Sequence, residues 1–275
     1  MTDILIILQA RLSSSRLPGK VLKKILGKPM LEHQLQRLSY ISTPHQLVVA
    51  TSNNNDDDAI STLCKQLDVD CFRGDLDDVL GRYYHAVQSF NDHKKIKHIV
   101  RLTGDCPLID AGIVDNVISL YLNEQVDYCS NCAPATLPDG LDVEVFSVSA
   151  LTTAYEQAVK LSEREHVTPF IRNHSQLFTK INYVHQPDLS HFRWTVDEAK
   201  DFELITKIYQ VLYPQNPNFN LDDILTLMEQ QPDLMQINQN IVRNEGLIKS
   251  EQNDQELDHL HDQKKIQSKV TSQEH

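Results

Sequence analysis

Five consecutive apolar residues, Ile4-Leu5-Ile6-Ile7-Leu8, stand near the start of the chain, and a polar, basic segment follows them at once. A strand with one face in water alternates apolar and polar residues. An uninterrupted run must be covered on both faces. Helices therefore have to pack above and below it, which selects an α/β arrangement. The rest of the chain keeps to this plan. Residues 47–50, 69–72 and 98–102 read as further strands. Between them, helices are expected from Pro29 through Leu38, over 56–67, over 76–90 and over 110–122, with Asp110 placed to cap the last. A second series follows, extended at 127–130, 141–146 and 181–184 and helical at 149–160, 163–173, 199–212 and 221–228. The expected fold is a three-layer α/β/α sandwich around a mostly parallel, Rossmann-like sheet. Residues 141–145 alternate apolar and acidic side chains, so they are expected half-exposed, in a small β element beside that sheet. Ligands of such sheets sit at the carboxyl ends of the strands. The loops after Leu8, Ala50 and Leu102 are thus the places to look for a site.

The chain has 275 residues, 40% of them hydrophobic, which suits one large domain over 1–249. From Ser250 onward the sequence is rich in Gln, Asp, Glu, His and Lys. With so few apolar residues, 250–275 is expected to be a disordered tail. No apolar stretch is long enough to span a bilayer and no signal-peptide pattern is present, so a cytoplasmic protein without a membrane partner is expected. The five cysteines are irregularly spaced. Cys129 and Cys132 have CxxC spacing but no second pair, and all five read as reduced, structural thiols. A net charge of −12 argues against a nucleic-acid partner. The charge is uneven, however. Between Ile4 and Leu31 there are six cations (Arg11, Arg16, Lys20, Lys23, Lys24, Lys28) and no acid, as a pocket for a small anion would require.

Three segments can carry chemistry. The first, QARLSSSRLPGK (9–20), follows the first strand directly. Arg11 and Arg16 offer forked hydrogen bonds to phosphate, Lys20 a point charge, Ser13 and Ser14 hydroxyls, and Gly19 a turn without a side chain. It is not a P-loop, since GxxxxGK[ST] is absent. In the second, RLTGDCPL (101–108), Asp105 stands just past a buried strand, where it can serve as one of the few carboxylates Mg²⁺ takes beside phosphate oxygens. The third, RWTVDE (193–198), offers Asp197 as a second metal carboxylate or as the cap of the helix near Ala199.

Together with LPDGLDVEVFS (137–147), SEREHVTPFI (162–171) and FRWTVDEAKDFELI (192–205), these segments resemble the cytidylyltransferase family that activates sugar acids such as 3-deoxy-manno-octulosonate and sialic acid, nearest to its spore-coat polysaccharide (SpsF) branch. The likeness runs from residue 4 to about residue 212, and its most specific element is the arginine-to-LPGK loop. It implies CTP as donor, a sugar-acid or polyol acceptor, Mg²⁺ and a homodimer. It also implies roles. Arg11, Arg16 and Lys20 would grip the triphosphate, with Ser13, Ser14 and Gly19 beside them. Asp105 and Asp197 would hold Mg²⁺, and Arg73 would touch the base. Asp142, Glu144, Arg164 and His166 lie where the family places acceptor contacts and subunit packing. The catalytic set is then Arg11, Lys20, Asp105 and Asp197. Three rival readings remain at this point, one of them a sugar-1-phosphate nucleotidyltransferase, a family whose first loop is richer in glycine than this one with only Gly19. A metal-dependent glycosyltransferase would use Asp75-Leu76-Asp77 as a D-x-D motif, although acids also belong in the first turn of a helix there. A non-catalytic nucleotide-binding partner of a polysaccharide pathway would need no paired metal carboxylates.

Overall fold

The computed structural model describes residues 2–91, 95–241, 243 and 246–256. Strand β1 (Ile4–Gln9) lies in a seven-stranded sheet, with β4 (Gln46–Ser52) and β5 (Asp70–Gly74) on one side and β6 (His98–Thr103) on the other, all four parallel. The sheet then reverses. β8 (Glu144–Ser147) runs antiparallel to β6, β7 (Tyr128–Ser130) antiparallel to β8, and β9 (Lys180–Asn182) parallel to β7. The order is β5-β4-β1-β6-β8-β7-β9.

The run at residues 4–8 is covered on both faces, as its composition demands. Ile4, Ile6 and Leu8 enter a core shared with α1 (Met30–Leu38), α2 (Asp58–Gln66), α4 (Ala111–Glu124), α8 (Ala199–Leu212) and α9 (Leu221–Gln230). Leu5 and Ile7 enter a second core with α3 (Val79–Phe90), α5 (Val148–Gln157) and α7 (Pro169–Asn173). The expected α/β/α sandwich with a mostly parallel sheet is therefore the fold. Asp110 caps α4, accepting hydrogen bonds from the N–H groups of Gly112 and Ile113.

Several local expectations need correction. Residues 141–146 do not form a separate small β element. Glu144 begins a strand of the main sheet and is buried, because Arg101 on β6, Tyr128 and Thr168 all turn polar atoms toward its carboxylate. The helix expected over 163–173 is two: α6 (Leu161–His166) and α7, separated at Val167, whose φ of 72° no helix accommodates. A two-stranded ribbon, β2 (Lys24–Ile25) with β3 (Lys28–Pro29), separates the basic loop from α1. Residues 246–256 are helical, so the boundary drawn at 250 falls inside a helix, while 257–275 lie outside the described residues. Asp254 anchors this helix. It is buried and accepts hydrogen bonds from the N–H groups of Leu161 and Ser162 at the start of α6. Asp254→Ala is expected to cost about 1 kcal/mol, the usual loss on removing a cap. It should also open the 246–256 segment to limited proteolysis.

One glycine fixes how the third sequence segment meets the sheet. Gly140 has φ of +110°, and a Cβ there would stand 2.5 Å from the Thr195 nitrogen. This contact lets the Asp139 N–H donate to the Phe192 carbonyl and the Asp139 carbonyl accept from the Trp194 N–H, which lays the 192–194 segment against Asp139. Gly140→Ala combines a disfavoured backbone with a clash, so urea unfolding should register a loss of at least about 2 kcal/mol.

Candidate active site

The loop after β1 is a built structure rather than a solvated strand end. The N–H groups of Ser14 and Gly19 both donate to the Leu12 carbonyl, at 2.8 and 3.1 Å. The Leu12 N–H itself donates to Asp57, 2.8 Å away. Asp57 is buried and is held by the N–H and hydroxyl of Ser52. Gly19 has φ of +68°, which turns the chain so that Lys20 points inward. Sequence reasoning missed Asp57. It stood among three successive acids and read as part of a helix start, with nothing local to mark it as the loop's support.

Lys20 is the centre of the site. Its ammonium donates to Asp105 Oδ2 at 3.1 Å, to Asp197 Oδ1 at 2.9 Å and to the Val196 carbonyl at 2.8 Å. Two aspartates from distant segments of the sequence thus share one nitrogen. Burial works against the Lys20 charge, but the two carboxylates outweigh it and raise its pKa. Burial would likewise raise Asp105; the Lys20 charge and hydrogen bonds from Thr103 and Lys20 instead bring it down to about 2. Both groups are held charged across the neutral range.

Asp197 is further oriented by Arg16, at 3.2 Å, and by Arg193, at 2.9 Å. It does not cap α8. That role falls to Glu198, with Asp201 closing a capping box. Arg193 also ion-pairs with Asp139 and with the fully buried Asp201. This buried network was not assigned from sequence, although RWTVDE contains its centre. Gly104 lets the two site loops touch, its N–H donating to the Gln9 carbonyl at 2.7 Å.

Two cavities meet at the aspartates. One, of about 530 Å³, is lined by Arg11, Ser13, Ser14, Arg16 and Lys20 from the first loop, with Gly246 and Lys249 reaching over it from the 246–256 helix. The second, of about 240 Å³, lies toward the antiparallel part of the sheet and is lined by Asp139, Asp142, Glu144, Thr168, Arg172 and Thr195, among others. Arg16, Arg101, Asp105, His166 and Asp197 border both. In the second cavity, burial pushes Asp142 up to about 7 against the pull of Arg243, whose guanidinium is 2.6 Å from it. Burial lowers the pKa of His166, which faces the Ser250 hydroxyl at 3.1 Å.

Of the residues singled out from sequence, Arg11, Ser13, Ser14, Arg16, Lys20, Asp105, Asp197, Asp142, Glu144 and His166 converge on these cavities. Arg73 does not. Its guanidinium is spent on Asp58 and on the carbonyls of Ser52 and Asn54, bracing the turn after β4. Arg164 also lies outside them, forked onto Asp78 and packed over Tyr155, where it ties α6 to α3 and α5. The Asp75-Leu76-Asp77 triplet is a turn. Asp75 accepts from the N–H groups of Asp77 and Asp78, and no part of the triplet borders either cavity. Among the described residues no group of three or more His, Cys, Asp or Glu could cage a metal, and no helix is long and apolar enough to cross a membrane.

A mostly parallel sheet with a cationic loop and two aspartates at its carboxyl rim defines a nucleotide-handling transferase. The profile of one family, described as cytidylyltransferase, matches residues 5–266. The spore coat polysaccharide biosynthesis protein SpsF of Bacillus subtilis is 32% identical over 241 residues, covering 85% of this chain and 97% of that protein. A 3-deoxy-manno-octulosonate cytidylyltransferase from Hydrogenovibrio crunogenus is 34% identical over 134 residues, 48% of this chain and 51% of that one. The solved structure of a cytidylyltransferase from Leptospira borgpetersenii superposes with a TM-score of 0.80 at 31% identity, over 88% of this chain and 99% of the other. The chain belongs to the cytidylyltransferase family, and is a nucleotidyltransferase.

Proposed function

We propose that the chain transfers CMP from CTP to a sugar acid or related polyhydroxylated acceptor, releasing pyrophosphate, in the making of a surface polysaccharide. The observation that carries this reading is the position of Lys20, Asp105 and Asp197 at the junction of a cation-lined cavity and a carboxylate-lined one. Arg11, Arg16 and Lys20, with the hydroxyls of Ser13 and Ser14, would hold a triphosphate in the larger cavity, which they line. An acceptor in the smaller one would meet Asp142, Glu144 and His166 and present a hydroxyl toward the α-phosphorus. The acceptor oxygen–phosphorus bond forms, the bond from the α-phosphorus to the pyrophosphate oxygen breaks, and the hydroxyl proton is released. Such a transfer needs positioning and charge neutralisation more than a covalent intermediate.

The donor set suits a hard cation: two carboxylates brought to one point from two loops. Asp105 and Asp197 would hold Mg²⁺, which when bound neutralises charge on the α-phosphate and the leaving group. The name of the octulosonate relative supports an acceptor of the sugar-acid kind, and that of SpsF a role in polysaccharide synthesis. The homodimer belongs to the same proposal and can be read by analytical ultracentrifugation.

The test is a pyrophosphate-release screen of four nucleoside triphosphates against sugar acids and polyols, with and without Mg²⁺. Release is expected with CTP, only when an acceptor and Mg²⁺ are both present. Release from another triphosphate, or transfer from a CDP- or UDP-sugar instead, would overturn the assignment.

A further inference from the structure

The helix at 246–256 stands over the site without belonging to either hydrophobic core. Gly246 borders both cavities, Leu247 the second and Lys249 the first. Among the described residues neither core, nor the half-buried side chains packed against it, extends past Ile237. The ties of the helix to α6 are polar. The Ser250 hydroxyl donates to Glu165 Oε2 at 2.8 Å and faces His166 Nε2 at 3.1 Å, and Asp254 accepts from the N–H groups of Leu161 and Ser162. Ahead of the helix, Arg243 donates to Asp142 at 2.6 Å and to the Leu137 carbonyl at 3.2 Å, which pins the chain beside the second cavity. Hydrogen bonds at a wet surface exchange for water at little net cost, so a helix held in this way can lift while the body stays folded. It leaves about 530 Å³ beneath it, and so covers the first cavity without filling it.

The other cations around that cavity already face carboxylates. Lys20 lies against Asp105 and Asp197, Arg16 against Asp197, and Arg11 stands 4.0 Å from Glu165. A triphosphate entering there meets those three carboxylates as well as the cations, so it gains from each further ammonium brought to it. Lys249 brings one from outside the loop. Ser250, the next residue, holds the same Glu165 that stands beside Arg11, which links the helix to the cation loop through one side chain. We propose that the 246–256 helix is a lid on the nucleotide cavity, and that Lys249 carries a phosphate-binding ammonium to the triphosphate when the lid is down. The assignment rests on the CTP-dependent reading above and adds a residue outside the five segments that carry the sequence likeness.

The experiment uses the full chain and two readouts. Calorimetry gives the Kd for CTP with Mg²⁺. A glutamate-specific protease reports the lid through its rate of cutting at Glu251, which is exposed on the helix. Saturating CTP with Mg²⁺ is expected to slow that cut at least about 5-fold, since only a lifted helix is cleaved. Lys249→Ala should weaken CTP binding about 10-fold, as loss of a charge-assisted contact implies. Even when saturated with CTP it should lose most of the protection at Glu251, which general stabilisation by a ligand would leave intact. Lys249→Arg should recover most of both. Lys249 is exposed, so the urea midpoint of each variant should match the wild type. A wild-type Kd in Lys249→Ala, cutting at Glu251 that CTP does not slow, or protection that survives the substitution overturns the lid and leaves nucleotidyl transfer standing. A wild-type chain with no affinity for CTP overturns both.

Discussion

Asp105→Ala is expected to reduce pyrophosphate release by at least about 10²-fold, the scale on which removal of one preorganised electrostatic group acts. Three features combine at this residue. Its carboxylate is held ionised, it is fixed by Thr103 and Lys20, and it stands where the two cavities join. The loss should fall on kcat, since Arg11, Arg16 and the serines that would hold the triphosphate remain in place. Asp105→Asn keeps the shape and removes the charge, so it should be nearly as impaired. The pairing with Lys20 has a second consequence. Because the folded-state pKa of Asp105 is depressed to about 2, its contribution to stability is present above the ordinary carboxylate range. That contribution is lost as pH falls through about 2. The alanine variant should therefore give up that contribution at neutral pH, stay folded, and release little pyrophosphate. A variant retaining full pyrophosphate release would remove Asp105 from the catalytic set.

Arg193→Ala is expected to be the most destabilising single change near the site, costing about 3–5 kcal/mol in urea unfolding, because it strands charges buried with their partner. Arg193 bridges Asp139, Asp197 and Asp201, and Asp201 is fully buried. Asn238 gives a hydrogen bond to Asp201 but supplies no charge. Activity should fall as well, since Asp197 loses one of the groups that aim it. Arg193→Lys would restore the charge without the fork and is expected to recover only part of the stability. Wild-type unfolding behaviour in Arg193→Ala would mean that the network adds nothing to the fold.

The contrast between Asp105 and Asp197 and the rest of the site shows what a linear reading can reach. Residues 4–20 were legible because apolar composition and charge speak locally: five apolar residues demand a covered strand, and a basic loop at its end can be located without coordinates. Asp105 and Asp197 stood out as candidate carboxylates by their local positions, the resemblance proposed a role for each, and Lys20 draws them to one point. Glu144 was misread as half-exposed because the group that neutralises it, Arg101, lies on another strand. Asp57 and Arg193 were passed over for the same reason, as each is explained by partners distant in sequence or hidden by the fold. Arg73 and Arg164 show the converse. Their sequence positions suit ligand contacts, yet Asp58 and Asp78 take up their guanidinium groups. The 246–256 helix was invisible because its anchor, Asp254, looks like any other acid in a polar tail until α6 presents its N–H groups.

The reversal of strand direction between β6 and β8 has a consequence for how such a chain can change. The cation loop hangs from the parallel strands, whereas Asp142, Glu144 and Arg172 belong to segments around the antiparallel ones. Side chains or whole turns on the far side can be exchanged without shifting the register of β1 against β4 and β6. Substitutions that alter which molecule is modified should thus be separable from those that alter which molecule supplies the group.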